Sequence, residues 1–535
     1  MPFRAKQFLL AACAAASLAG TAVAAPVDVL TYHNDVGRTG QNLDETALTP
    51  ATVAAASFGK LGFLPVQGLV DAEPLYVSNL SIAGVSHNVV FVVTEHDLVY
   101  AFDADSLALL WQVSVLGAGE TPSDDRGCFQ ISPEIGITAT PVIDPASGPH
   151  GSLFLVAASK DATGNYHQRL HALDLSTGAE LDGGPTTIQA SYPKLLGHLS
   201  FDPKQYAERA ALLLVNGTIY LSWTSHCDNT PYNGWVMGYS ESTLRQTAVI
   251  NLTPNGSAGS IWMAGAGPAA DASGNIYFLD GNGTFETALN GRGFPLLHDF
   301  GNTFLKLSTS GGGLTVADYF AMHNIGSENQ TDLDLGSGGA LLLPDLKDAT
   351  GATRHLAVGA GKDANIYVVN RDAMGKFSPF NDNAIYQQIG AGGLAGGVWA
   401  MPAYYNSTVY YGAVGDRLKA FTIVSARLRA PAGSFSAAAF GYPGATPSIS
   451  ANGSADGIVW AVQNDGPGSP DGTPAGNLGV LHAYDASDLS HELYNSNQAG
   501  SRDQFVDNKF ITPMIANGRV FVGTPTGVAV FGLLH

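Results

Sequence analysis

Charge is scarce in this sequence, and positive charge is scarcest. Charged residues make up 13% of the 535 positions, with Lys+Arg 25 against Asp+Glu 45. So few charges exclude a disordered chain and a helical coiled coil, both of which are charge-rich. The formal net charge of -20 repels nucleic-acid phosphates and anionic lipid headgroups, so no nucleic-acid partner is expected. Cysteine is nearly missing, present only as Cys13, Cys128 and Cys227. There is no C-x-x-C-H for a covalently attached c-type haem and no paired C-x-x-C zinc framework. Any electron carrier is therefore non-covalent or separate. Beyond the N-terminus no stretch approaches the roughly 20 uninterrupted apolar residues of a membrane span. Long amphipathic helical windows are missing as well.

What is abundant is turn-forming and apolar: Gly 64, Pro 28 and 45% hydrophobic residues, the composition of a turn-rich globular protein. At the N-terminus Arg4 and Lys6 precede an apolar run from Phe8 to Gly20, and Ala22-Val23-Ala24 supplies a small-x-small cleavage signature. We read residues 1–25 as a signal peptide cleaved near Ala24 or Ala25, and the mature chain as periplasmic or secreted. Leu10-Ala11-Ala12-Cys13 is similar to a lipoprotein box, but only about five apolar residues precede Cys13, short of the usual run of roughly 7–15, so secretion without lipid is preferred. In an oxidising compartment Cys128 and Cys227 are free to pair, and their polar loops on one face predict a disulfide.

A recurring unit organises the rest of the chain. It consists of a Pro or small residue, a short apolar strand, a turn, a Tyr/Phe/Val strand, a polar turn, and a strand ending near Asp. Pro74 to Val77, Asn88 to Thr94 and Leu98 to Asp103 make the first, and similar units begin at Pro141, Leu212, Pro268, Ala340, Pro402, Pro447 and Pro513. Asn216-Gly217 and Asn517-Gly518 mark hairpin turns. Division by about 150 residues per domain would give three or four domains, but repeats of about 45–70 residues override that prior. The fold class is all-β: residues 26–535 form a single eight-bladed β-propeller, in which radial closure leaves few exposed edges. The last unit stops after three strands, and Phe58 to Val66 is a strand without a unit, so it is expected to close the eighth blade. The competing architecture, two β-sandwiches, lacks a linker-like stretch between repeats.

A propeller gathers the turns after each blade's second strand around the axis on one face. Here those turns hold Glu95-His96-Asp97, Lys160-Asp161, His226-Cys227-Asp228-Asn229, Gly281-Asn282-Gly283, Lys362-Asp363 and Asp416-Arg417. Polar turns are ordinary, so only an ordered combination of them carries functional information.

Such a combination exists. Ser260-Ile261-Trp262-Met263-Ala264-Gly265 is followed by Tyr277-Phe278-Leu279-Asp280-Gly281-Asn282-Gly283, then Asp332-Leu333-Asp334, then Gly361-Lys362-Asp363 leading to Asn370-Arg371. In this order the chain resembles the quinoprotein propellers, the pyrroloquinoline quinone (PQQ) dependent alcohol dehydrogenases. The resemblance implies Trp262 as the floor under PQQ, Asn282 and Asp228 (or Asn229) as Ca²⁺ ligands, Lys362 on the quinone oxygens, and Asp332 (or Asp334) as the catalytic base. The chemistry is coherent: an indole face stacks on a flat, electron-poor ring system. A cation stabilises a developing oxyanion, Ca²⁺ takes oxygen ligands and polarises a carbonyl, and a carboxylate accepts an alcohol proton.

The pattern also departs from that family, because its vicinal disulfide falls here on Glu95-His96, so the roof of the site differs. The implied activity is oxidation of an alcohol or sugar with electrons passed to a separate acceptor. A non-catalytic propeller that binds protein or polysaccharide is the alternative, and a hydrolase or lyase using Glu95, His96 and Asp97 is a third class.

Overall fold

A computed structural model describes residues 1, 27–181, 183–464 and 478–534. Apart from Met1, the segment read as a signal peptide lies outside the described residues. Eight antiparallel sheets follow one another in chain order, which makes the fold an eight-bladed β-propeller. The first blade shows the pattern: Leu75–Ile82, Val85–Val93, Leu98–Asp103 and Leu109–Ser114 pair in sequence. All six residues of Leu98–Asp103 are buried. Third strands pack between neighbouring blades on both faces, which explains their continuous apolar and aromatic sequence. The Asp that ends the third strand caps the turn beyond it: Asp103 accepts from the Ser106 amide at 2.7 Å, and Asp174 accepts from the Ser176 amide at 2.9 Å. Where a repeat closes with Asp, as at Asp103 and Asp174, that residue is thus a turn-maker.

The eighth blade is built from both ends of the chain. Phe58–Pro65 runs antiparallel to Gly527–Leu533, which pairs onward with Arg519–Thr524 and Met514–Ala516. Phe58 anchors this closure. Its ring is fully buried and stands 5.3 Å from Trp460, 4.9 Å from Tyr494 and 6.5 Å from Phe531, centroid to centroid.

Between Val29 and Asn42 the chain circles the axis and bonds to every blade in turn. Val29 exchanges backbone bonds with Tyr76, Leu30 accepts from Ile143, Val36 accepts from Ala270, and Gly37 accepts from Leu342. Thr39 then accepts from Tyr404 and Gly40 from Ile449. Asn42 reaches the eighth blade by donating to the Ile515 carbonyl, and Arg38 reaches the third by donating to Leu212. The Arg38 guanidinium is fully buried, and it also donates to Pro268, Tyr32 and Thr31 at 2.7 to 3.0 Å. Gly40 cannot be replaced, because its φ is +70° and a Cβ there would lie 2.3 Å from the His33 ring. Burial pushes the Arg38 pKa down to about 10 and the neighbouring Glu73 up to about 8, so at neutral pH the guanidinium keeps its charge.

Replacing Arg38 by Met would strand three carbonyls without a donor, two on neighbouring blades (Leu212 and Pro268) and one in the central segment itself (Tyr32). Arg38→Met is expected to destabilise the fold by about 3 kcal/mol or more, read by urea denaturation. A midpoint unchanged from wild type would count against this segment as the clamp of the propeller.

Candidate functional site

The start of each inner strand and the end of each second strand lie at the same end of the propeller, as the pairing of Leu75 with Phe91 shows. Segments entering the inner strands there enclose a cavity of about 800 Å³, counting its open mouth, lined by Asp71, Arg209, His226, Trp262, Tyr442 and Phe510 among others. The space enclosed below that mouth is only about 90 Å³, so a ligand of larger size has to extend into the open mouth. Trp262 lies half-buried on its wall. The backbone beyond it is left-handed at Met263 (φ 46°), Ala264 (φ 54°) and Gly265 (φ 90°). Two non-glycine residues in that region cost of order 1–2 kcal/mol each, so the turn presenting the indole is held by its surroundings.

The aromatic wall is continuous. Phe510 meets Trp262 edge-on at 5.2 Å, Tyr442 meets Phe510 at 6.0 Å, and Trp399 meets Tyr442 at 5.7 Å. The Arg209 guanidinium lies 5.4 Å from the Phe510 ring. Phe510 itself is left-handed, with φ 61°. Opposite, Asp71 accepts from Asn508 at 2.8 Å and stands 4.0 Å from Arg209. Behind it Glu95 is fully buried and accepts from the Gly136 amide and the Thr138 hydroxyl. Burial, then the adjacent Asp71, holds the Glu95 carboxyl well above the usual range.

Beyond Tyr442 lies a polar cluster. Asn282 donates to Asp332 Oδ1 at 2.6 Å, and Lys362 Nζ is 2.7 Å from both Asp332 Oδ1 and Asp334 Oδ1. The two carboxylates differ in setting: the Asp332 side chain is 73% exposed and that of Asp334 only 9%. Burial raises the Asp334 pKa, opposed by Lys362. Burial opposes the charge on Lys362, yet the two carboxylates outweigh it and raise its pKa. Tyr442, which lines the cavity, feels the charges of both Lys362 and Arg209. Two oxygens here are buried and unpartnered, Asn282 Oδ1 and Asp280 Oδ2. Orphan oxygens beside carboxylates form a hard donor set that fits a cation such as Ca²⁺.

Of the residues singled out in the sequence, Asn282, Asp332, Asp334 and Lys362 come together, and Trp262 lies on the adjoining cavity. Asp228 is held within its own turn, accepting from Ser225 at 2.7 Å and from the Tyr232 hydroxyl at 3.2 Å. The charges of both Asp228 and Asp334 act on that phenol. Glu95 and Asp97 are buried rather than solvated, while His96 bonds Glu134 at 2.8 Å. The cavity rim carries a disulfide between Cys128 and Cys227, whose Cα atoms are 5.8 Å apart. Asp71, Arg209, Tyr442 and Phe510 were missed in the sequence. They sit in irregular segments with no repeat signature, and only the ring closure brings them together.

Replacing Lys362 by Met would leave Asp334 buried without its counter-ion. Lys362→Met is expected to cost about 3 kcal/mol at neutral pH, with the loss shrinking in acid, where the already raised Asp334 becomes neutral. Denaturation at neutral and acidic pH checks both magnitude and sign. An equal loss at the two pH values would show that the ion pair is not its cause.

No family model matches the chain, and no curated protein matches it. Among solved structures it is similar to quinohemoprotein alcohol dehydrogenase from Comamonas testosteroni, with TM-score 0.60 and 13% identity over 96% of this chain and 81% of that one. A second such enzyme, from Pseudomonas putida HK5, gives TM-score 0.57 and 14% identity over 95% and 80%. At this identity the likeness is one of architecture. The chain has the eight-bladed propeller fold of the quinohemoprotein alcohol dehydrogenases.

Proposed function

We propose that the protein is a periplasmic or secreted quinoprotein-like oxidoreductase that oxidises an alcohol or sugar with PQQ and Ca²⁺ and passes electrons to a separate acceptor. The observation that carries this reading is the meeting of Asn282, Asp332 and Lys362 beside a cavity walled by Trp262. No helix among the described residues is long and apolar enough to cross a membrane, and the leader-like N-terminus supports export.

The residues fit the groups. An aromatic wall with Arg209 suits a flat, carboxylate-bearing ring system. The free Asn282 oxygen, with Asp228 across Tyr232, suits Ca²⁺. When bound, PQQ supplies the two-electron acceptor. The chain's own part is to orient and to move a proton. Asp332, open to solvent, takes the hydroxyl proton of the substrate at its carboxylate. Asp334, buried beneath it, anchors Lys362 so that the ammonium faces the developing negative charge. Trp262 orients the ring system.

One observation favours the alternative, a non-catalytic propeller that binds protein or polysaccharide: the Phe510 ring already packs against Trp262. The two readings separate in equilibrium dialysis with PQQ and Ca²⁺, followed by a dye-linked alcohol oxidation assay. Wild type is expected to retain PQQ, Trp262→Ala and Asn282→Ala to retain less, and Asp332→Asn to retain it while turnover falls by about two to four orders of magnitude. If wild type retains none at micromolar concentration, the enzyme reading fails. Retention by Phe510→Ala alone would mark Phe510 as a plug.

A further inference from the structure

We propose that Cys128, Cys227 and His226, once the disulfide is reduced, form a binding site for a thiophilic cation of the Zn²⁺ class at the rim of the axial cavity. One ring nitrogen of His226 and the two sulfurs all lie within 4.8 Å of one another. Around a single tetrahedral ion, with bonds of about 2.3 Å to sulfur and about 2.0 Å to imidazole nitrogen, ligand atoms stand about 3.5–3.8 Å apart, so small side-chain rotations would bring these three to one metal. The Cα separation of 5.8 Å between the cysteines is already set by the fold, so no backbone has to travel far to bring both thiolates to one metal.

His226 is presented as a metal ligand needs to be. The residue is 7% exposed, and its Nε2 bonds the Asp125 carbonyl at 3.0 Å. Donation to a backbone carbonyl through one nitrogen fixes the tautomer and leaves Nδ1 as the lone-pair donor, the usual outer-sphere support of a metal-bound imidazole. The turn is equally defined on the other side, where Cys227 is left-handed (φ 53°) and Ser225 bonds Asp228.

Three protein ligands leave the fourth position of a tetrahedron open, the arrangement of catalytic rather than structural zinc. Cys128 and His226 both line the cavity, so that position faces it and is filled by water or by an oxygen or nitrogen donor of whatever the cavity holds. Thiolate softness separates this site from the oxygen set at Asn282: the first selects Zn²⁺, the second Ca²⁺. The electron balance is simple. An external dithiol delivers two electrons and two protons to the S–S bond and becomes a disulfide itself. Metal binding then releases the two thiol protons to solvent. In the oxidised chain neither sulfur is available, so the metal state and the disulfide state exclude each other.

The test uses Co²⁺ as a spectroscopic probe and Zn²⁺ as competitor. The full chain is reduced with a water-soluble phosphine, which takes oxygen from water and passes its two protons to the thiols. Reduced wild type is expected to bind one Co²⁺, giving the thiolate-to-cobalt charge-transfer band and the visible bands of a tetrahedral ion, both abolished by Zn²⁺. The oxidised protein should give neither. His226→Asn should lower the cobalt affinity by at least about tenfold. If reduction unfolds the chain, Zn²⁺ should restore native circular dichroism. Absence of tetrahedral bands in folded reduced protein, failure of Zn²⁺ to rescue an unfolded one, or an affinity unchanged in His226→Asn would each overturn the proposal.

Discussion

Everything in this propeller depends on a single buried arginine and the segment that carries it. A ring of eight sheets has no intrinsic reason to stay closed: each blade contacts only its neighbours, and the ring is as strong as its weakest junction. The segment from Val29 to Asn42 changes that topology by tying all eight inner strands to one stretch of chain. Arg38 supplies what a backbone cannot, a donor array that reaches Leu212, Pro268, Tyr32 and Thr31 at once. Desolvating a guanidinium is costly, and the cost is offset only because these acceptors are all satisfied by it. Closure through Phe58–Pro65 is then the second clasp, between the two ends of the chain and at the periphery instead of the axis.

A ring clamped from within can hold backbone in unfavourable conformations. Left-handed non-glycine residues occur around the site at Cys227, Asp228, Met263, Ala264, Asp332 and Phe510, and in the clamp itself at His33, Asn34 and Arg38. Each is held by contacts that the rigid blades impose, and strain of this kind persists only where the surroundings over-determine it. The buried acids follow the same logic. Glu95, Asp280 and Asp334 are all raised by burial, and each sits where a turn enters or leaves the axis. Acids whose proton affinity is raised in this way suit proton transfer, which is why they concentrate at sites.

The blades were legible in the sequence because their physics is local. Short β-branched and aromatic runs recur from unit to unit, with Asn-Gly turns and a closing Asp in several of them, and Asn282 and Lys362 could be placed on one face from topology, whereas Asp332 was reached only through the family resemblance. The central segment was not legible. Thr31 to Gly40 reads as a polar loop, and nothing in its composition distinguishes Arg38 from a solvated cation. Its burial is a property of the closed ring, not of its neighbours in sequence. Phe510 and Arg209 were hidden for the same reason, since a positive-φ phenylalanine and an arginine over its ring have no periodic signal.

The site also shows how one architecture divides two tasks. Inner strands and their clamp define where the axial cavity lies, but the residues facing it come from segments whose sequences are free to vary without disturbing any ladder. A Trp on a strained turn, a Lys between two carboxylates and a disulfide at the rim arise from different blades and share no hydrogen bond with the central segment. Their mutual distances are nevertheless fixed, because every supporting blade is bonded to the same stretch of chain. Rigidity at Arg38 thus becomes positional accuracy at Trp262 and Lys362, and the contents of the cavity can differ between such propellers while the frame that aims them stays the same.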